Sequence, residues 1–486
     1  MHSFDLVVRG GIVALASDIF PSDIGISDGL ITAIGENLPS AAAEVDARGK
    51  YVLPGGVDSH VHVEQLSSSG LMTADDFRSA TIAAAFGGTT TIISFAAQHV
   101  GMDLARVVSD YHAAAERGAI IDYGFHMIVA DPTEVTLRQI PELVRSGHAS
   151  IKVFMAYDRL RLDDEKMLDV LLTARECGAL VCVHAENHGM ISWLSRRLIE
   201  RGYTSPKYHN VAHARAAEIE AFHRLIAMAE LVDQPITIFH VSTAEGVAII
   251  ADARRRGVKV FGETCPQYLF LTAADVDKPG IEGAKWVFSP PPRNAADQEA
   301  LWSAFALGHL QVISSDHAPY AFDPSGKLKY GPNATFKQIA SGLPGIETRM
   351  PLMFDAMVSK GKLGLPAFVN LTATQPAKLY GLYPRKGDIT VGADADVVVW
   401  NPQRKWTLSA SSAHDRTGYS PYEGRQVVGW PEVVLRRGQI VISNGEFAAG
   451  SGKGVFLPRQ GGEAAKPSGK SSPEFDPARN FGAELY

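Results

Sequence analysis

Cysteine is scarce in this sequence of 486 residues, which contains three: Cys177, Cys182 and Cys265. Three cysteines without a Cys-x-x-Cys motif do not make the disulfide framework of a secreted domain, and they fit a reducing compartment. Long apolar runs are also missing, because no stretch reaches the ~18 residues that a membrane span requires. The first residues lack the basic and apolar regions of a signal peptide. We therefore expect a cytoplasmic protein that is neither secreted nor anchored.

Long runs of like charge are absent as well. The 46 basic and 53 acidic residues are dispersed along the chain and give a net charge of -7. A basic stripe is the usual electrostatic footprint of nucleic-acid binding, and clustered lysines or arginines are typical of proteins on anionic membranes. We therefore expect neither nucleic acid nor membrane as a partner. The 46% of hydrophobic residues predict a large core and one large domain with appendages.

Short β-like runs, separated by Gly and Asp turns, occupy both ends of the chain. They fill residues 1–50 and return at 393–400 and 433–441. The first group is too short to stand alone, so we predict one small β-sandwich domain assembled from residues 1–52 and 385–449. The tail at 450–486 is rich in Gly, Ser, Pro and Lys and has no apolar period. We expect this tail to order only against a neighbouring subunit.

Residues 53–384 alternate strand and helix patterns at intervals of about 30 residues, the spacing of βα units around a parallel sheet. Helical periodicity is clear at 76–86, 104–117, 164–177 and 244–256. The predicted strands lie near residues 51–62, 89–96, 122–129, 150–155, 179–184, 236–241, 258–263 and 310–316. Glycines that can adopt positive φ stand at helix ends: Gly87, Gly118, Gly147, Gly178 and Gly257. The pattern predicts an α/β fold, a (β/α)8 barrel inserted between the two parts of the β domain.

Candidate metal ligands stand at the ends of four predicted strands. The first strand ends in His60 and His62, whose imidazoles point the same way because a strand alternates faces. The fifth and sixth strands end in His184 and His240, and the eighth ends in Asp316. A single histidine at a strand end is more often a hydrogen-bonded core residue. The whole set, at the end of a barrel where catalytic groups lie, supplies donors for two metal ions, as in binuclear hydrolases.

Lysine is unusual in the fourth predicted strand, where Lys152 follows Ile151 and precedes Val153. An ammonium ion is costly to bury in such a run. Burial lowers the pKa of the lysine and leaves a nucleophilic amine. The alternative is a lysine whose head group reaches the barrel mouth.

These motifs resemble the dihydropyrimidinase and hydantoinase family of cyclic amidases, within the amidohydrolase superfamily. The resemblance covers nearly the whole chain. Its matching segments are residues 54–62, 73–77, 152–157, 184–187, 263–269, 314–319 and 419–424. Lys-Val-Phe-Met-Ala-Tyr at 152–157 and Glu-Thr-Cys-Pro-Gln-Tyr at 263–268 are the specific segments, whereas His-x-His is shared across the superfamily.

The resemblance implies two zinc ions bridged by an N6-carboxylated Lys152. A buried amine of lowered pKa can react with carbon dioxide, and two cations stabilise the negative charge of the carbamate. By the same resemblance His60, His62 and Asp316 hold one ion, and His184 and His240 hold the other.

Roles toward substrate also come from the resemblance. Asp316 takes the proton of the attacking water and passes it to the leaving ring nitrogen, and Tyr157 donates its hydroxyl to the developing oxyanion. Ser289 resembles the family's contact to the substrate amide, which is made largely through its backbone. The second contact is usually an asparagine, and Ser341 at that position weakens any inference about ring size.

The implied activity is zinc-dependent hydrolysis of the ring amide of 5,6-dihydropyrimidines, of hydantoins, or of both, by a homotetramer. An allantoinase or another cyclic-ureide hydrolase stays open as an alternative. A non-catalytic scaffold relative typically lacks several metal ligands, whereas this chain retains them all. Dihydroorotase would show His-x-His-x-Arg, and this sequence has Glu64 in place of the arginine.

Other polar residues near the predicted strand ends are interpreted differently. His126, Glu263 and His317 are explained as hydrogen-bonding residues behind a ligand set that is complete without them. Arg161 lies in the loop after the fourth strand, where related hydantoinases tend to have an aromatic. It either points to solvent or makes the pocket less apolar, which would favour small or polar rings over aryl hydantoins.

Overall fold

Both ends of the chain form one nine-stranded mixed sheet in the computed structural model, which describes residues 3–67, 70–448, 450, 452–470 and 472–475. A sheet built from both chain ends confirms that part of the fold prediction. Its apolar side chains, such as Val8, Val52 and Val399, make a separate buried cluster. The strands are Phe4–Ala14, Ile19–Ser27, Leu30–Gly35, Ala41–Asp46, Tyr51–Pro54, Val397–Thr407, Gln426–Arg436, Gln439–Ser443 and Glu446–Phe447.

Eight parallel strands form the barrel and confirm the (β/α)8 prediction. Val61 and His317 form a parallel bridge, in which the His62 N–H donates to the His317 carbonyl at 2.8 Å, so the first and last strands meet. The strands are Gly56–Val61, Thr89–Ala97, Asp122–Ile128, Ser150–Phe154, Leu180–His184, Ile236–Ile238, Val260–Thr264 and Val312–Ile313. All but Val260–Thr264 are buried at every residue, as expected of a parallel sheet covered by helices.

The run at 51–62 is two strands rather than one. Tyr51–Pro54 pairs with the terminal sheet, and Gly56–Val61 opens the barrel. Gly55 lies between them, where a Cβ would come within 2.0 Å of the Thr90 hydroxyl oxygen. The change of sheet therefore needs glycine at this position.

Helices surround the barrel, and several begin at a side chain that accepts a hydrogen bond from the first turn, as Asp76 does from the Ser79 N–H at 2.8 Å. The α-helices are Phe77–Phe86, Leu104–Gly118, Glu134–Arg145, Asp164–Cys177, His188–Glu200, Tyr208–Ala212, Arg215–Val232, Ala244–Arg255, Pro266–Phe270, Ala273–Val276, Ala295–Ala306, Arg349–Phe354, Leu365–Val369 and Gln375–Leu379. Short 3-10 helices span Glu282–Trp286, Phe336–Gln338, Ala410–Ser412, Glu463–Ala465 and Pro473–Phe475, and π-helical turns span Asp355–Ser359 and Asn370–Thr374. Among the described residues, no helix has the length and apolar character to cross a bilayer.

Positive φ occurs at three of the five glycines for which we expected it. Gly147, Gly178 and Gly257 adopt it, whereas Gly118 is the last residue of a helix and Gly87 has a φ of -80°. Glycine at position 87 answers a different need, because a Cβ there would lie 2.3 Å from the Glu347 carbonyl oxygen.

The tail follows the N-terminal end of the barrel, which we call the bottom. The Tyr123 N–H donates to the Val455 carbonyl, the Leu457 N–H to that of Tyr123, and Leu457 is fully buried. The expectation that this segment orders only against another subunit was therefore wrong for these residues. They add an extended run beside the start of the strand Asp122–Ile128, a contact that periodicity within the tail does not reveal. Residues 476–486 lie outside the described part of the chain, and contact with a neighbour stays a prediction.

Candidate metal centre

Three of the predicted ligands converge at the C-terminal end of the barrel. The Asp316 carboxylate oxygen lies 3.0 Å from His60 Nε2 and 3.3 Å from His62 Nε2. These donor atoms lie within 4.8 Å of one another and can hold a metal ion. Burial opposes ionisation of Asp316, but the two histidines outweigh it and hold the pKa of its carboxyl well below the usual range. The carboxylate is therefore available as a ligand at neutral pH.

The histidines of the fifth and sixth strands form a second group beside the first. His184 Nδ1 lies 2.8 Å from His240 Nε2, and both rings are buried. The two imidazoles of His60 and His240 lie 5.6 Å apart between ring centroids. The five side chains of the two groups therefore form one continuous cluster.

Three site residues at this end of the barrel have a strained backbone. Tyr157, His240 and Asp316 have φ of 73°, 42° and 46°, in the left-handed region that non-glycine residues rarely adopt. Each such residue costs on the order of 1 to 3 kcal/mol and persists only where the surrounding fold fixes it. The three strained positions all carry predicted site residues.

Lys152 lies below these ligands, with 1% of its surface exposed. Its Nζ has no hydrogen-bond partner among the described residues and lies 4.0 Å from the Phe239 ring centroid and 4.9 Å from that of Phe154. Burial lowers its pKa to about 8, so a substantial fraction of the amine is neutral near physiological pH.

Buried polar residues fix the orientation of the candidate ligands. His60 Nδ1 lies 2.6 Å from Glu263, and His62 Nδ1 lies 2.7 Å from Gln65. His184 Nε2 lies 2.9 Å from Glu186, whose other oxygen lies 2.9 Å from His213 Nδ1. Hydrogen bonds of this kind set the tautomer and angle of a metal-binding imidazole.

Sequence reasoning assigned no role to Gln65, Glu186 or His213. Glu186 belongs to the His-Ala-Glu-Asn segment at 184–187, so that motif carried a signal for it. Gln65 and His213 lie in loops without a motif, and their contacts depend on tertiary structure. The residues set aside as hydrogen-bonding ones do form such bonds: His126 with Ser150 and Ser59, His317 with Asp75, and Glu263 with His60.

A cavity of about 430 Å³ opens above the cluster. Tyr157, Ser289 and Ser341 line it, together with His60, His62, Lys152, His184, His240 and Asp316. The Ser289 and Ser341 hydroxyls lie 2.9 Å apart, and Ser289 also lies 3.1 Å from His209 Nε2. Burial raises the pKa of Tyr157 well above its usual range, so its phenol keeps its proton.

Arg161 is exposed, and its neighbours Arg159 and Leu160 line the cavity instead. The backbone explains this, because Arg161 pairs with Phe154 in a parallel bridge that places the two preceding residues over the opening. This arrangement favours the solvent-facing interpretation of Arg161.

The donors present suit a binuclear metal site. Among the buried polar atoms that have no hydrogen-bond partner in the described residues, three belong to this site: Lys152 Nζ, His240 Nδ1 and Glu263 Oε2. Buried polar groups are rarely left unpaired, and exceptions call for an explanation such as an ion. Imidazole and carboxylate donors are those that zinc prefers.

Comparison with known proteins gives one consistent family. The model of the amidohydrolase family matches residues 51–441. A D-hydantoinase of Streptomyces coelicolor is 43% identical over 93% of this chain and 97% of its own length. A D-phenylhydantoinase of Escherichia coli is 35% identical over 94% of this chain and 98% of its own. The crystal structure of a dihydropyrimidinase from Brevibacillus agri is 42% identical, with a TM-score of 0.91 over 94% of this chain and 99% of that one.

Proposed function

Because this chain belongs to the amidohydrolase family and, within it, to the hydantoinases and dihydropyrimidinases, we propose that it hydrolyses the ring amide of hydantoins, 5,6-dihydropyrimidines or both. Dihydrouracil would give N-carbamoyl-β-alanine. The observation that carries the proposal is the convergence of five imidazole and carboxylate side chains and one buried lysine under a single cavity. Full-length similarity to named cyclic-amide hydrolases supports the same chemistry.

The proposed cofactor is a pair of zinc ions. His60, His62 and Asp316 would hold one and His184 and His240 the other, with an N6-carboxylated Lys152 shared between them. The partnerless Nζ of Lys152 and its lowered pKa support the carboxylation. When bound, such ions supply Lewis acidity toward the ring carbonyl and lower the pKa of the attacking water.

Asp316 would transfer the proton in this reaction. Its pKa lies well below the usual range, so it enters the reaction as a carboxylate. It would accept the proton of the attacking water and deliver it to the ring nitrogen as the amide bond breaks. Its strained backbone keeps this carboxylate in the cavity wall.

Three residues of the cavity wall would position the substrate: Tyr157, Ser289 and Ser341. The Tyr157 phenol stays protonated because burial raises its pKa, and it can donate to the oxyanion that forms on the attacked carbonyl. Ser289 and Ser341 lie side by side in the same wall and would contact the rest of the ring amide or ureide.

Activity of the purified protein on a small set of rings tests the proposal. Metal content is measured by elemental analysis, and rates are measured on dihydrouracil, hydantoin, 5-phenylhydantoin and allantoin. We expect about two metal ions per chain and hydrolysis of dihydrouracil or hydantoin that is lost on chelation and restored by zinc. A metal-loaded protein that opens none of these rings would contradict the proposal, and one that opens only allantoin would replace it.

We also propose a cytoplasmic homotetramer in which the tail reaches a neighbour. The three cysteines are free, as expected in a reducing compartment. Sizing of a chain truncated after Gly450 tests the assembly. A smaller oligomer supports contact between subunits, whereas an unchanged oligomer with lower thermal stability would leave the tail with only its intramolecular role.

A further inference from the structure

Lys327 is a buried lysine whose amine is bound by backbone carbonyl groups. Only 1% of its surface is exposed, and its Nζ donates to the carbonyl oxygens of Val287 at 3.0 Å and Ala340 at 2.9 Å. No ion pair joins it to a carboxylate in the part of the chain that the structure describes. Burial alone lowers its pKa to about 7. A buried lysine is unfavourable for stability, so its position calls for another reason.

The two carbonyl groups belong to the two segments that carry the candidate substrate contacts. Val287 lies two residues before Ser289, and Ala340 directly precedes Ser341. A backbone hydrogen bond from the Gly342 N–H to the Val287 carbonyl also joins these segments. Lys327 therefore holds two loops, distant in sequence, at the place where their serine hydroxyls meet at 2.9 Å.

A tight turn directs the lysine inward. Asp323 accepts from the Ser325 N–H, its carbonyl accepts from Gly326, and the Lys327 N–H donates to the Ala321 carbonyl at 2.8 Å. A Cβ at Gly326 would lie 2.2 Å from that same carbonyl oxygen, so only glycine fits. This turn follows Ala318 and Tyr320, which also line the cavity.

We propose that Lys327 is a positioning residue for the substrate, because its amine crosslinks the two loops that carry Ser289 and Ser341, the proposed substrate contacts. The inference rests on the proposed function. The contacts persist on either side of the lysine's titration, since a neutral amine still has two N–H bonds for two carbonyl groups. The candidate metal ligands lie outside these two loops, so removal of the Lys327 amine should disturb substrate binding more than the chemical step.

Kinetics of Lys327→Met test this role. We expect KM for dihydrouracil or hydantoin to rise about tenfold while kcat changes less than about threefold and metal content stays at the wild-type value. Lys329→Met is the matched control, because Lys329 is exposed in the same turn, and it should match the wild type. Lys327→Gln keeps an N–H donor for one carbonyl and should give an intermediate KM, which also serves if the methionine variant does not fold.

Double substitution separates positioning from a general loss of stability. If Lys327 acts through the serine pair, the factor by which Ser341→Ala raises KM should be at least about threefold smaller in the Lys327→Met background than in the wild type. Additive effects, or an unchanged KM with a lower melting temperature alone, would overturn the inference while leaving the proposed function intact. A wild-type protein that hydrolyses no cyclic ureide would overturn both.

Discussion

Two lysines, Lys152 and Lys386, lie at opposite ends of the barrel and are buried to the same 1% exposure. At the bottom, Lys386 Nζ lies 2.7 Å from Asp122, 2.8 Å from Asp396 and 3.1 Å from Asp394. These carboxylates outweigh burial and raise its pKa. At the top, Lys152 faces aromatic rings and its pKa falls to about 8. Equal burial therefore accompanies pKa shifts of opposite direction, according to the charges nearby.

The two ends of the barrel have correspondingly different tasks. At the bottom, Asp122 of the barrel binds two other parts of the chain. One of its oxygens accepts from Lys386, which lies beside the terminal sheet, and the other accepts from the Val455 N–H of the tail at 3.0 Å. At the top, the described residues offer no hydrogen-bond partner to Lys152 Nζ or His240 Nδ1, and the backbone of His240 and Asp316 is strained. Lys386, whose charge is balanced by carboxylates, connects parts of the molecule. Lys152, which faces aromatic rings, has the lowered pKa of a reactive amine.

Removal of Lys152 should have the largest effect. Lys152→Ala deletes the amine proposed for carboxylation, so we expect kcat/KM to fall by at least about a thousandfold, with loss of bound metal. Short carboxylic acids added to the assay should restore part of the activity, since they can supply the missing carboxylate. Full activity without such acids, or an unmodified amine in the mass spectrum of the active metal-loaded protein, would remove Lys152 from the site.

Removal of the lower lysine should affect stability instead. Lys386→Met removes a cation shared by three buried carboxylates; Asp394 keeps Arg385 and Asp122 keeps Arg437. The loss of the buried pair with Asp396 should reduce the free energy of unfolding by about 3 to 5 kcal/mol. Chemical denaturation measures this change, and kcat/KM of the folded protein should stay near the wild-type value. Lys466→Met removes an exposed ion pair with Glu463 and should cost less than about 1 kcal/mol. If Lys386→Met lost activity without losing stability, the assignment of stability to the bottom of the barrel and chemistry to the top would be contradicted.

Acid should loosen the bottom of the barrel through His148. Burial lowers the pKa of His148 to about 4 from 6.5, so the unfolded chain takes up the proton first. The free energy of unfolding should therefore fall as pH drops from 6.5 to 4, and the His148→Gln variant should lose on the order of 2 kcal/mol less over that range. Denaturation at several pH values measures the slope. His223→Gln, at an exposed position, should keep the wild-type slope, and equal slopes in all three proteins would refute the assignment.

The smallest expected effect concerns the rim of the cavity. Arg159 lines the opening, whereas Arg161 is exposed and outside it. Arg159→Ala should raise the ratio of kcat/KM for 5-phenylhydantoin over hydantoin by about threefold to fivefold, because a charged group leaves the path of the aryl ring. Arg161→Ala, or Arg161→Phe, should change this ratio less than about twofold. A larger effect at Arg161 would restore the hypothesis that it restricts the substrate.

Much of the barrel was predictable because each strand and helix is a local pattern. The sequence pattern predicts the last residue of the strand Leu180–His184 and both ends of the helix Asp164–Cys177 correctly. The break at Gly55 was not predictable, since both strands on its two sides are apolar and only their pairing partners differ. The tail was misjudged for a similar reason, because its buried Leu457 belongs to an apolar run too short to show a period.

The sequence by itself determined the order of βα units and which side chains stand at the strand ends, since both follow from spacing along the chain. Tertiary structure alone decided which of those side chains meet. His62 and Asp316 are 254 positions apart and come together only because the barrel closes between its first and last strands. The fold also surrounds Lys152 with aromatic rings and Lys386 with carboxylates. A side chain's pKa depends on these neighbours, so residue type alone could not assign the two lysines their different roles.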